Sequence, residues 1–289
     1  LGFLLKRIGL TNTVFLQTSD KLVYYIFFPL MLFWKIGGAS YEDGIAWNLV
    51  FASFSALAVM FLLSILLIAV CRISDFQAGS FAQSCYRFNT YIGVAVVLNS
   101  FGEDGIKYFG IVIGLAIPVI NAAAVTTLIW FSQEKVSSLK RSRLLFKALV
   151  SNPLILGCLA GLAYSRGFTG FPQFLDNSLG LISMLTLPLA LLSIGGSLTF
   201  KGIHHHARLS LLAALAKLVV FPLVGYGFLK LFGVQGTPFL VGMIFFSLPT
   251  STAIYVLSSQ MQSDTELASS AILFSTLLSF PVLTVVLLL

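Results

Sequence analysis

The chain of 289 residues is 58% hydrophobic and only 9% charged, whereas a domain that faces water on all sides carries charge on about a quarter of its residues. With a mean hydropathy of +0.98, a soluble globular fold is excluded. The net charge of +7 does not point to nucleic acid, because the basic residues are scattered among loops instead of forming one patch.

Several apolar blocks, such as Trp47–Val70, 106–131 and 209–231, reach the roughly 20 residues that cross a bilayer as a helix. They lack the every-second-residue alternation of a membrane β-barrel. In chain order the pattern predicts ten membrane helices, near 1–8, 22–38, 47–70, 78–99, 106–131, 151–165, 177–198, 209–231, 237–258 and 266–289. No signal-peptide pattern is visible. The chain opens without Met on an apolar stub, 1–5, that runs into Lys6 and Arg7, which reads as the tail of a truncated first helix. The second helix holds FFPLMLF at 27–33, and the fourth carries Asn89 and Thr90 within RFNTYIGVA at 87–95. Gly110 with Gly114 in the fifth, and Gly157 with Gly161 in the sixth, are small-residue pairs that let helices approach closely. The seventh contains LPLALLSIGGSL at 187–198, and His204, His205 and His206 follow in a short basic loop that reads as solvated. Lys217 in the eighth is expected to lay its stem along the helix and reach an interface.

The ninth helix reads FFSLPTSTA at 245–253. A proline inside a helix removes a hydrogen bond and clashes with the preceding turn, and hydroxyl residues directly after it suit the start of a new helix. The tenth stops inside the apolar run 282–289 and reads as slightly cut. Cys71, Cys85 and Cys158 stand alone in apolar surroundings without metal-ligand spacing. They read as packing residues, so no metal and no cofactor is expected.

Lys and Arg concentrate in cytoplasmic loops. The loops after the predicted first, third, fifth and seventh helices hold eleven of them, among which Lys135, Lys140, Arg141, Arg143 and Lys147 form the cluster at 132–150; the alternate loops hold four. Both chain ends are therefore expected outside, with 132–150 as a basic cytoplasmic loop.

Shifted by 159 positions the chain matches itself: Pro29 meets Pro188, Gly2 meets Gly161, Arg7 meets Arg166 and Gly37 meets Gly196. The expected division is a first five-helix repeat at 1–131, the basic loop at 132–150 and a second repeat at 151–289. Five is odd, so the second repeat enters the membrane from the opposite side. The fold class is thus an all-α membrane protein of ten transmembrane helices in two inverted repeats, an architecture of secondary transporters whose substrate sits near the midplane.

In such folds broken helices expose backbone N–H groups, aided by the half-helix dipole, to an anion. The corresponding fourth and ninth helices are expected to break and cross, since the offset sets Asn89 and Thr90 against Leu248 and Pro249. A carboxylate is expected on the Asn89 amide, the hydroxyls of Thr90, Thr250 and Ser251, and the N–H groups that Pro249 frees. The alternatives are a merely kinked ninth helix, whose hydroxyls bond back to their own backbone, and an Asn89 that glues neighbouring helices. Every Asp and Glu falls in a predicted loop or at a helix end, so the site is neutral or slightly positive. Arg87 and Lys217 are the cations nearest the membrane interior.

These segments resemble the auxin efflux carrier family. The resemblance rests on LGFLLKRIGL at the start, FFPLMLF, FNTYIG, SNPLILGCLAGL at 151–162, LPLALLSIGGSL, and the stretch from LPTSTAIYVL to ILFSTLLSFPVL. It covers nearly the whole chain, in the family's order. The short basic loop is similar to prokaryotic members and unlike the long loop of plant PIN-formed proteins. The resemblance implies a carrier of organic anions, such as auxin-like weak acids, malate or malonate, that works by an elevator motion. It also implies a scaffold of helices 1, 2, 6 and 7, a mobile domain of helices 3–5 and 8–10, and a homodimer. Asn89 falls on the family's fourth-helix crossover asparagine and Pro249 on its ninth-helix crossover proline. The chain departs from plant members at Val94, Ala95 and Val96, where they place a proline, and at Ile254, where they place another.

The expected function is a secondary carrier of small organic anions in the bacterial inner membrane, with the lipid bilayer as its surroundings and no nucleic-acid partner. The alternatives are a sodium-coupled symporter of the bile-acid type and a membrane receptor or sensor on the same fold. An enzyme is not expected, because no Ser/His, paired-Asp or metal-ligand set lies within the spans.

Overall fold

The computed structural model describes residues 2–38, 46–131, 153–168, 170–197 and 203–288, and every regular element among them is helical. The helices are α1 (Gly2–Arg7), α2 (Thr13–Leu22), α3 (Phe28–Gly37), α4 (Trp47–Val70), α5 (Asp75–Tyr86), α6 (Thr90–Trp130) and α7 (Pro153–Gly167). They continue with α8 (Gln173–Ser197), α9 (Ile203–Leu215), α10 (Phe221–Leu231), α11 (Gly236–Ser247), α12 (Ala253–Gln260) and α13 (Thr265–Leu287). The basic loop 132–150, the acidic pair Glu42 and Asp43, and Lys201 lie outside the described residues.

Among the described residues, four helical stretches are long and apolar enough to cross a membrane: Trp47–Val70, Asp75–Trp130, His206–Leu231 and Thr265–Leu287. Their outer faces expose large apolar side chains, among them Leu62, Leu66, Leu223 and Phe280. Water would penalise so much exposed hydrocarbon, whereas lipid tails do not.

Two π turns share one cause. Val23–Phe27 joins α2 to α3 and Ala216–Val220 joins α9 to α10. In each, the turn ends on a Phe-Pro pair, Phe28-Pro29 and Phe221-Pro222. Proline offers no N–H and crowds the carbonyl four residues back, and widening the preceding turn relieves that crowding without ending the helix. Phe28 N–H accordingly reaches back five residues to the Val23 carbonyl, and Phe221 N–H to that of Ala216. The predicted second helix therefore begins earlier than 22, at Thr13, and Lys21 is a helical residue, not a loop one. The eighth likewise starts at Ile203, so His206 stands in a helix and not in a solvated loop.

Gly102, with φ 59° and ψ −143°, kinks α6; only glycine takes that conformation without strain. The kink replaces the loop expected between 99 and 106. Beside it Lys35 Nζ meets Glu103 Oε1 at 2.6 Å.

The helices sort by contact into two groups. In the first, α3 lies along α7, while α1, α2 and α3 all touch α8. In the second, α4 packs on α5 and α10, α9 on α13, and α11 on α10 and α13. Helix α6 touches α3, α7 and α8 on one side and α4, α5 and α11 on the other. The glycine pairs serve close approach as expected. A Cβ on Gly157 would lie 2.5 Å from the Pro29 carbonyl oxygen, one on Gly161 3.0 Å from that of Phe33, and one on Gly114 2.9 Å from Cys158 Cβ. The interior of the second group is aromatic, with Phe81, Phe109, Phe221, Phe245 and Phe246 fully buried.

Candidate functional site

Two helices are interrupted in the interior. The first interruption runs from Arg87 to Asn89, between α5 and α6; the second runs from Leu248 to Thr252, between α11 and α12. The second has a local cause. A residue before proline is pushed out of the helical region, and Leu248 ahead of Pro249 is extended at φ −64°, ψ 143°. The first contains no proline. Arg87 is extended at φ −69°, ψ 145°, and Asn89 starts the new helix as its cap. The Asn89 Oδ1 accepts hydrogen bonds from Tyr91 N–H at 3.1 Å and Ile92 N–H at 3.2 Å, satisfying two donors that a helix start leaves open.

The interruptions meet main chain to main chain. Asn89 N–H donates to the Pro249 carbonyl at 2.8 Å. Thr250 Oγ1 donates to the Ser84 carbonyl at 2.9 Å, and Thr250 N–H donates to Ser275 Oγ at 3.1 Å. Gly93 makes room for the meeting, since a Cβ there would overlap the Phe109 ring and come within 2.7 Å of Leu248 Cδ1. Phe88 packs edge-on against Phe245, with ring centroids 4.6 Å apart. Tyr91 meets Phe28 of α3 at 4.9 Å, so the crossover touches the other helix group.

The carbonyl ends of the half-helices find donors. Arg87 N–H bonds the Gln83 carbonyl, and Lys217 Nζ donates to the Phe246 carbonyl at 3.1 Å. Lys217 is fully buried, its Nζ 4.4 Å from the Phe221 ring centroid. The expectation that it reaches an interface is corrected: Lys217 lies midway along the helical stretch Ile203–Leu231, too deep for its stem to leave the interior, and the end of α11 offers it an acceptor.

The five predicted site residues all fall at this crossover, with unequal freedom. Pro249 supplies the carbonyl that Asn89 binds. Thr250 is 1% exposed, with hydroxyl and N–H both engaged by protein, so it ties the crossover together. Ser251 Oγ accepts from Ala253 N–H, the first of α12, at 3.3 Å. Thr90 and Ser251 are partly exposed. The Asn89 side chain is half used, for its Oδ1 caps α6 while its buried Nδ2 has no partner. A buried donor without an acceptor costs about 1–3 kcal/mol.

Other residues at this place carried no separate signal in the sequence. Ser84 and Ser275 are small hydroxyl residues like many others in the helices. Gln83 and Asn121 both accept hydrogen bonds from the Arg87 guanidinium; only the i, i+4 spacing of Gln83 and Arg87 hinted at a pair. Among the side chains described, Asp264 is the buried carboxylate, 4% exposed. It caps α13 through Leu267 N–H at 2.9 Å and lies 3.7 Å from His206, at a helix end as expected for acidic residues. Among the described residues no three His, Cys, Asp or Glu side chains converge as a metal would require.

The profile of the membrane transport protein family matches residues 1–287, so the chain belongs to that family, the auxin efflux carriers, and is an integral membrane transport protein. The chain is similar to an uncharacterized transporter of Methanocaldococcus jannaschii, with 24% identity over 296 residues that cover 98% of this chain and 92% of the relative. A second such transporter, from Methanothermobacter thermautotrophicus, is 26% identical over 197 residues, 65% of this chain and 60% of the relative.

Proposed function

We propose that this protein is a secondary carrier of small organic anions, such as auxin-like weak acids or malate- and malonate-type carboxylates. The observation that carries the reading is the pair of interrupted helices joined by Asn89 N–H and the Pro249 carbonyl, with the unpartnered Asn89 Nδ2 buried there. The half-helix starts bring the positive ends of two dipoles to the crossover, although Asn89 and Ser251 already take several of the first N–H groups. An anion of carboxylate size suits such a place, with Asn89, Thr90 and Ser251 as its contacts and Pro249 and Thr250 holding the crossover together.

The carrier has ten membrane helices in two inverted five-helix repeats, 1–131 and 151–289, joined by the basic loop 132–150. The helix group around α3, α7 and α8 serves as the scaffold, through which two copies dimerise. The group around α4, α9 and α13 carries the crossover as an elevator between the two faces of the bacterial inner membrane, with both chain ends outside. The separation of contacts into two groups, with α6 between them, supports this division.

Uptake of labelled malonate and of an indole carboxylate into proteoliposomes tests the reading, in sodium and in potassium buffers. Uptake of at least one carboxylate without sodium is expected. Strict sodium dependence would transfer the protein to the bile-acid symporter type, and no carboxylate movement under any gradient would end the anion reading.

A further inference from the structure

We propose that the Arg87 guanidinium is the fixed charge that reads the transported anion, bound through a carboxylate. The inference rests on the carrier reading above and departs from the neutral site expected from the sequence.

Arg87 is buried, with 9% exposure, two residues before Asn89 in the first interruption. Its Nη1 donates to Gln83 Oε1 at 3.1 Å and its Nη2 to Asn121 Oδ1 at 2.9 Å. Both partners are neutral amides. Ion pairs among the described residues join Lys35 to Glu103 and His206 to Asp264 and Glu266, and none includes Arg87. An arginine stays charged in any protein surroundings, and a buried charge is costly unless a counter-charge answers it. Amide oxygens repay part of that cost; a bound anion repays the rest.

The guanidinium is also held in place. Gln83 Nε2 donates to the Gly79 carbonyl at 3.1 Å, which turns its Oε1 toward Arg87. The Arg87 main chain is pinned through its own N–H to the Gln83 carbonyl. Two of five N–H donors are taken by the amides, and three remain for a planar, two-pronged acceptor such as a carboxylate. The buried Nδ2 of Asn89 is a further unanswered donor of the same interruption. A buried cation without a counter-charge and a buried amide donor without an acceptor stand two residues apart in a chain whose function is transport.

The test is malonate affinity by calorimetry on the purified full chain, with malonamide as the uncharged control. Wild type is expected to bind malonate and not malonamide. Arg87→Gln should weaken malonate about a hundredfold, the loss of a charge-assisted contact. Arg87→Lys should weaken it about tenfold, because a lysine keeps the charge and loses the fork. Should the glutamine variant fail to fold, the lysine variant decides alone. Affinity in Arg87→Lys within twofold of wild type overturns the assignment, as does Arg87→Gln binding undiminished, or malonamide binding as well as malonate; each leaves the carrier reading intact. Failure of wild-type protein to bind malonate, together with failure to move any carboxylate, overturns both.

Discussion

Replacing Asn89 by serine and by alanine separates two jobs that one side chain performs. Its Oδ1 caps α6 through Tyr91 and Ile92 N–H, while its Nδ2 is buried without an acceptor. Serine retains a capping oxygen and abolishes the idle donor; alanine abolishes both. Loss of a cap costs about 1 kcal/mol, so Asn89→Ala has one loss and one relief that roughly offset. Asn89→Ser loses no cap and sheds an unpaired donor worth about 1–3 kcal/mol, so the unliganded serine variant should be more stable than wild type by about 1 kcal/mol. Both variants should bind malonate about 10- to 100-fold more weakly, the cost of one hydrogen bond to a charged group. Thermal unfolding in detergent, followed by the fluorescence of Trp34, Trp47 and Trp130, reads stability, and calorimetry reads affinity. A serine variant that binds malonate as well as wild type, or that is less stable than the alanine variant, refutes the division of labour.

Pro249→Ala restores an N–H and frees Leu248 from its extended conformation, so α11 should lengthen and draw its carbonyl away from Asn89; uptake should fall at least tenfold in protein that still folds, and undiminished uptake would show the interruption to be dispensable. Gly157→Ala should destabilise the protein by about 1–3 kcal/mol, read as an earlier thermal transition, because the new Cβ would sit 2.5 Å from the Pro29 carbonyl oxygen. A cysteine at Ser137 should react with an impermeant maleimide only from the cytoplasmic side, given eleven basic residues in the loops predicted from sequence on that side against four in the others; labelling from outside reverses the topology.

The second interruption was legible because its cause is local: Pro249 constrains its neighbour, and Thr250, Ser251 and Thr252 follow it. The first was legible only through the repeat and the family resemblance, since Asn89 interrupts a helix by capping and not by steric exclusion, and single sequences mark caps weakly. The early start of α2 was hidden by Gln17, Thr18, Ser19 and Asp20, polar residues that lower the hydropathy of a stretch the structure keeps helical. The fate of the cations was not legible at all. Whether Lys217 and Arg87 leave the interior depends on which acceptors the tertiary fold supplies, and those acceptors are the Phe246 carbonyl and the Asn121 amide, 29 and 34 residues away in sequence.

The bond between Asn89 N–H and the Pro249 carbonyl uses no side-chain atom, and this bears on how such proteins change over evolutionary time. At position 89 any residue except proline can donate the same bond, whereas at position 249 the carbonyl stays in reach because Pro249 keeps Leu248 extended. The donor side of this meeting is thus insulated from most single substitutions, while the acceptor side is fixed by one residue, Pro249. On the carrier reading, replacements at Arg87, Thr90 or Ser251 would alter which molecule is bound while leaving this main-chain bond in place. A frame joined through main-chain atoms would then stay fixed while the side chains around it change.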